Sequence, residues 1–114
     1  MKKLLITTLL SVMLTTPGMA TESAGGQITD ICTVNAKLAR LIMTFRQRDV
    51  SQDSIIVAMK QYTNNDSVMT KLANEMVNKA YLHKIYSNDS DKKNIINLFG
   101  NLFFYECLNT MYSN

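Results

Sequence analysis

Two cysteines, one arginine, one glutamate and one histidine are the residues of this chain with chemistry to offer. Cys32 and Cys107 are the only thiols. An even number of cysteines in a small exported domain predicts a disulfide rather than a metal site. Redox-active pairs usually sit close together as C-x-x-C; this pair is separated by most of the chain, so the predicted role is structural. Closing so long a loop stabilises a fold by about 4–5 kcal/mol through chain entropy. His83 is the single histidine. It has no second imidazole with which to hold zinc and no nucleophile beside it in sequence. Its place near a predicted helix end suits the helix dipole. Glu106 falls within an apolar arc without a second acid, so it does not make an acid–base pair, and it is expected as a core carboxylate near Asn35. Arg46 has two readings. It pairs with Asp89 or Asp91 inside the fold, or it holds an anion or a ligand. No catalytic, cofactor-binding or metal-binding set emerges, and no cofactor is expected.

The elements that must position these residues are helical. Proline occurs once, at Pro17, and after Gly18 the glycines are only Gly25, Gly26 and Gly100, which disfavours a turn-rich sandwich. The first helix is predicted from a cap at Thr29 or Asp30 to about Arg48. Ile31, Val34, Leu38, Leu41, Ile42 and Phe45 lie on its apolar side, and Thr33, Lys37, Arg40, Thr44 and Gln47 on the other. Asp49-Val50-Ser51 is a turn, and Ser51 caps a second helix over 52–62 with Ile55, Ile56, Met59 and Tyr62 inward. Asp66 caps a third, over 67–86, with Val68, Met69, Leu72, Met76, Ala80 and Ile85 inward. Glu75 and Lys79 form a pair one turn apart on it. A fourth helix runs over 91–111. Its apolar arc is wide: Ile95, Ile96, Leu98, Phe99, Leu102, Phe103 and Cys107, extended by Phe104, Tyr105 and Leu108. Such an arc is either the centre of a bundle or a strip kept for a partner. The predicted architecture is an all-α, four-helix domain stapled between its first and last helices. That disulfide makes those two helices antiparallel and places Arg46 at the end far from it.

The N-terminus carries an export signal. Lys2 and Lys3 precede an apolar run from Leu4 to Leu14, too short for a membrane span of about 20 residues. Gly18-Met19-Ala20 places small residues before a cleavage point after Ala20. The predicted organisation is a signal peptide over 1–20, a flexible polar segment over 21–28 (TESAGGQI) and a helical domain over 29–114. Cleavage leaves 94 of the 114 residues and lowers the formal charge from +3 to +1. That near-neutral balance argues against nucleic acid as a partner. No later stretch predicts stable membrane insertion, and no cysteine stands where a lipid anchor requires one. The expected location is the periplasm, or outside the cell. Met43, Met59, Met69, Met76 and Met111 are scattered at core phases, as gap-fillers. The sequons at Asn65 and Asn88 read as turn chemistry beside a bacterial-type leader.

The spacing Cys32…Ala39…Arg46-Gln47…Val50-Ser51…Ala80-Tyr81…Phe99…Cys107 resembles an uncharacterised group of small exported proteobacterial proteins. These are helical, bracketed by two cysteines, and carry an Ala-Arg-Gln and an Ala-Tyr element between them. The resemblance spans Ile31 to Cys107. It implies compartment, disulfide and fold, it implies no active site, and it marks Arg46 and Tyr81 as the residues to watch. A proline shortly after the Ala-Tyr pair is common in that group; here Lys84 stands near its place, which predicts a longer third helix.

Three functions fit these features. The first is a non-enzymatic module that binds another periplasmic or envelope protein, as an inhibitor or immunity protein does, through a surface such as Phe104 and Tyr105; a second copy of the chain is a further partner. The second is an acid- or stress-activated chaperone. The third is an enzyme, disfavoured because Arg46, Glu106 and His83 do not converge in sequence.

Overall fold

A computed structural model describes residues 17–113, with side chains from residue 26 onward. The predicted n-region and apolar run of the signal peptide lie outside these residues. Four helices follow one another: α1 Pro17–Gln47, α2 Gln52–Tyr62, α3 Ser67–Ala80 and α4 Asp89–Ser113. No strand occurs among the described residues. The chain divides within α1 into two units, Met1–Ile31 and Cys32–Asn114; the second holds the core and every candidate residue.

Helix α1 starts at Pro17 rather than at Thr29, so the segment 21–28 is helical. Proline is well suited to a first helical position, and the Gly25-Gly26 pair weakens a helix without stopping it. The ends of the other helices follow local chemistry. Asp49 adopts φ 62° after α1, and the Val50 amide reaches back to the Phe45 carbonyl at 3.1 Å, a Schellman closure made with an aspartate in place of glycine. Asn64 and Asn65 take the same left-handed conformation after α2 (φ 54° and 60°). Ser51 accepts from the Ser54 amide at the start of α2, and Asp66 accepts from the Met69 amide at the start of α3, as their types and places predict. Helix α4 begins two residues earlier than expected because Asn88 is its cap: Asn88 Oδ1 accepts from the Asp91 amide at 2.7 Å.

The core is built from Leu38, Ala39, Ile42 and Met43 of α1, Ile55 and Met59 of α2, Met76 and Val77 of α3, and Phe99 and Phe103 of α4. The buried face of α1 is rotated from the expected one. Ala36, Ala39 and Gln47 are inside, whereas Ile31 and Val34 are exposed. Small residues let α1 approach its neighbours closely, and that contact outweighs the burial of two larger side chains nearer the helix start. Tyr62 and Val68, also expected inward, are exposed, as is Ile85 beyond the end of α3. Cys32 and Cys107 form the expected disulfide, with Cα atoms 5.4 Å apart, joining α1 to α4.

Candidate functional site

Arg46, Gln47 and Tyr81 meet, and what they hold is backbone. Helix α3 stops at Ala80, not at Tyr86. The chain beyond has no regular secondary structure over 84–86, and the end of α1 captures it. Gln47 is a buried polar side chain, 3% exposed. Its Nε2 donates to the Lys84 carbonyl at 2.9 Å, and its Oε1 accepts from the Tyr86 amide at 2.9 Å. One side-chain amide thus satisfies the two groups that a neighbouring strand would take. Arg46 Nε donates to the His83 carbonyl at 2.9 Å, and its guanidinium lies 4.8 Å from the centre of the Tyr81 ring. The Tyr81 hydroxyl donates to the Val50 carbonyl, and Lys92 Nζ donates to the Gln47 carbonyl at 2.9 Å. Burial pushes the Tyr81 phenol above its ordinary pKa; the Arg46 guanidinium acts against this and Asp49 adds to it.

This geometry corrects the expected Arg46 ion pair. Arg46 bonds a carbonyl and stacks on an aromatic ring, and Asp91 instead accepts from Asn88 Nδ2 at 2.9 Å. It corrects the third helix as well. Helix α3 ends at Ala80 without a proline, and Arg46 and Gln47 hold the segment beyond it through the His83 and Lys84 carbonyls and the Tyr86 amide. Gln47 was expected on the solvent side. The signal that could have placed it inside is its spacing from Ala36, Ala39 and Met43, which puts it on the same face as those small or flexible side chains.

The remaining candidates do not converge. Glu106 is exposed, not in the core, and its Oε1 lies 3.9 Å from Lys79 Nζ. Lys79 also sits 5.3 Å from the Phe103 ring centre; it turns to α4 rather than to Glu75. The Asn35 amide donates to Cys107 Sγ at 3.4 Å, not to Glu106. The His83 ring stands edge-on to Phe99, centroids 5.9 Å apart. Among the described residues, no group of three or more His, Cys, Asp or Glu is placed to hold a metal ion, and no helix is long and apolar enough to cross a membrane.

The wide arc of α4 divides in two. Phe99 and Phe103 enter the core, and Phe104 is half-buried against Tyr105, ring centroids 5.5 Å apart. On the outer side Leu98 (62%), Leu102 (48%), Tyr105 (62%) and Tyr112 (62%) stay exposed along one line. An apolar groove of about 310 Å³ lies beside it, lined by His83, Ile95, Leu98, Phe99 and Leu102. Helix α1 takes a further side of α4: Arg40 crosses Gly100, where an added Cβ would come within 2.5 Å of Arg40 Cγ and Nε, and Arg40 Nη2 donates to Asn101 Oδ1 at 3.0 Å. No protein family, curated protein or solved structure matches this chain.

Proposed function

We propose that this chain is an exported, non-enzymatic protein-binding module of the inhibitor or immunity kind, working in the periplasm, and that the outer face of α4 is its binding surface. The observation that carries this reading is the line of Leu98, Leu102, Tyr105 and Tyr112, four large apolar side chains about half or more exposed on one helix. A contiguous apolar strip on a small domain marks an interaction surface, and tyrosine is a favoured interface residue. The polar side chains support the same reading: Arg46, Gln47 and Tyr81 are occupied with backbone, and Glu106 lies beside Lys79. The resemblance to small exported two-cysteine proteins agrees with the compartment, and the disulfide itself implies an oxidising one.

A photo-crosslinking residue in place of Leu102, compared with one in place of the exposed Val57 of α2, tests the reading in living cells. One discrete adduct from position 102 at both neutral and acidic pH, absent from position 57, is the expected result. Many unrelated adducts formed only in acid would replace the reading with a chaperone.

A further inference from the structure

We infer that the occupant of the outer face of α4 is a second copy of this chain, its α4 lying parallel and in register. The inference rests on the reading of that face as a protein-binding surface and names its partner.

Ile95, Leu98, Leu102, Tyr105, Asn109 and Tyr112 follow one another at intervals of three, four, three, four and three residues. This is the a/d spacing of a coiled-coil seam, in which each side chain enters a hole between four residues of a facing helix with the same repeat. Five of the six are exposed and Ile95 is half-buried, so the seam is open along its length. It spans 18 residues, about 26 Å of helix. The core of the domain already holds α4 as a helix, so pairing carries none of the ordering cost of a free peptide.

Two observations favour a copy over a foreign partner. The seam is almost without charge: from Asn94 to Ser113 the only side chain charged at neutral pH is Glu106, which lies beside Lys79 of its own chain. The six seam side chains carry no charge, so they have little to steer an oppositely charged target and meet their own copies without like-charge repulsion. The second observation is Asn109, the one polar residue of the seam, which falls at an a position. Against an apolar partner its amide would lose its water without a replacement. Against Asn109 of a parallel copy, the amide that needs a donor and an acceptor meets one that supplies both, and a lone a-position asparagine of this kind fixes register and oligomeric state. Four exposed large apolar side chains per copy, with half-buried Ile95 beside them, make an interface at the small end of specific ones. The dimer is therefore weak, and a foreign target would have to displace the second copy.

Sedimentation equilibrium of the exported protein tests the association directly. The expected apparent mass rises from that of one chain toward two as concentration increases from about 10 µM to about 1 mM, the range of a weak interface. Leu102→Asp, at an exposed position, is expected to keep the thermal transition and to abolish the rise. A photo-crosslinking residue in place of Leu98 reads the partner and its direction. An adduct of twice the chain mass, joined to residues 95–102 of the second copy, is expected. Joining at 105–112 would mean an antiparallel pair and overturn the assignment of Asn109. An adduct with a different protein and a monomer at every concentration would overturn the second copy while leaving the binding surface standing; no adduct at all would remove both.

Discussion

Gln47 shows how one residue sets the path of a loop. Its side chain satisfies the Lys84 carbonyl and the Tyr86 amide in a nearly dry place, so Gln47→Ala removes two hydrogen bonds and leaves two backbone groups without partners. The expected loss is about 2–3 kcal/mol, read as a lower urea midpoint, and Gln47→Glu is expected to be as harmful because a carboxylate cannot donate to the Lys84 carbonyl. Hydrogen exchange at the Tyr86 amide should rise in both variants; an unchanged rate would mean that Gln47 does not hold this segment. Tyr81 carries a pH dependence of defined sign. Burial raises its folded pKa above the ordinary value, so the fold prefers the protonated phenol. The stability this contributes is fully present below about pH 10, the pKa of an unfolded tyrosine, and is lost as pH rises through the folded value. Tyr81→Phe is expected to cost about 1 kcal/mol at neutral pH, for the bond to the Val50 carbonyl, and to flatten the alkaline fall in stability; an equally steep fall in both proteins would assign it to other groups. Neither role was legible in the sequence beyond the spacing of Arg46-Gln47 and Tyr81. The partners of both are backbone atoms 31 to 39 residues away, and hydropathy carries no information about them.

At the scale of the helices, the parts set by neighbouring residues were legible and the parts set by packing were not. Ser51 and Asp66 cap where their types and positions predict, and α2 has the predicted bounds. The end of α3 and the face of α1 departed from expectation because each is decided by contacts between elements. Gly100 is the clearest case. It lies in mid-helix, where glycine costs about 1 kcal/mol relative to alanine, yet Arg40 occupies the space a Cβ would need. Since Cγ and Nε are both in the way, the whole arginine must move, and its bond to Asn101 with it. Gly100→Ala is thus expected to destabilise by about 1 kcal/mol despite the better helix propensity. In an Arg40→Ala background the same change is expected to stabilise by up to about 1 kcal/mol. The double-mutant cycle measured by thermal unfolding therefore reverses sign; equal effects in both backgrounds would mean that Arg40 does not determine the glycine. The division of the α4 arc was likewise open in the sequence, because a wide apolar arc says how much of a helix avoids water and not which neighbour covers it.

For the molecule as a whole, the disulfide is the bond on which the rest depends. Cys32 is the first residue of the unit that holds the core, Cys107 lies near the end of α4, and 75 positions of chain separate them. Helices α2 and α3 lie entirely within the loop it closes. Its pairing was legible from cysteine number and the predicted export signal, because two thiols in an oxidising compartment have one another as partners. Opening the loop restores chain entropy to the unfolded state, at about 4–5 kcal/mol, within the range of the total stability of a small domain, about 5–15 kcal/mol. Reduction is therefore expected to lower the urea midpoint severely and to bring the protein close to unfolding at 37 °C. The seam residues of α4 should be lost with it, since an isolated helix of 25 residues with this Asn-rich sequence is marginal in water. Replacing both cysteines with alanine should do the same without added reductant, which separates loss of the bond from side effects of the thiol reagent. Helicity followed by circular dichroism against urea, for the oxidised, reduced and doubly substituted proteins, gives the comparison. Coincident curves would mean that the packing of Ile42, Met43, Met76 and Phe99 holds α1 to α4 unaided. A large and equal shift in the last two would place the proposed binding face of α4 under the control of the oxidation state of the compartment.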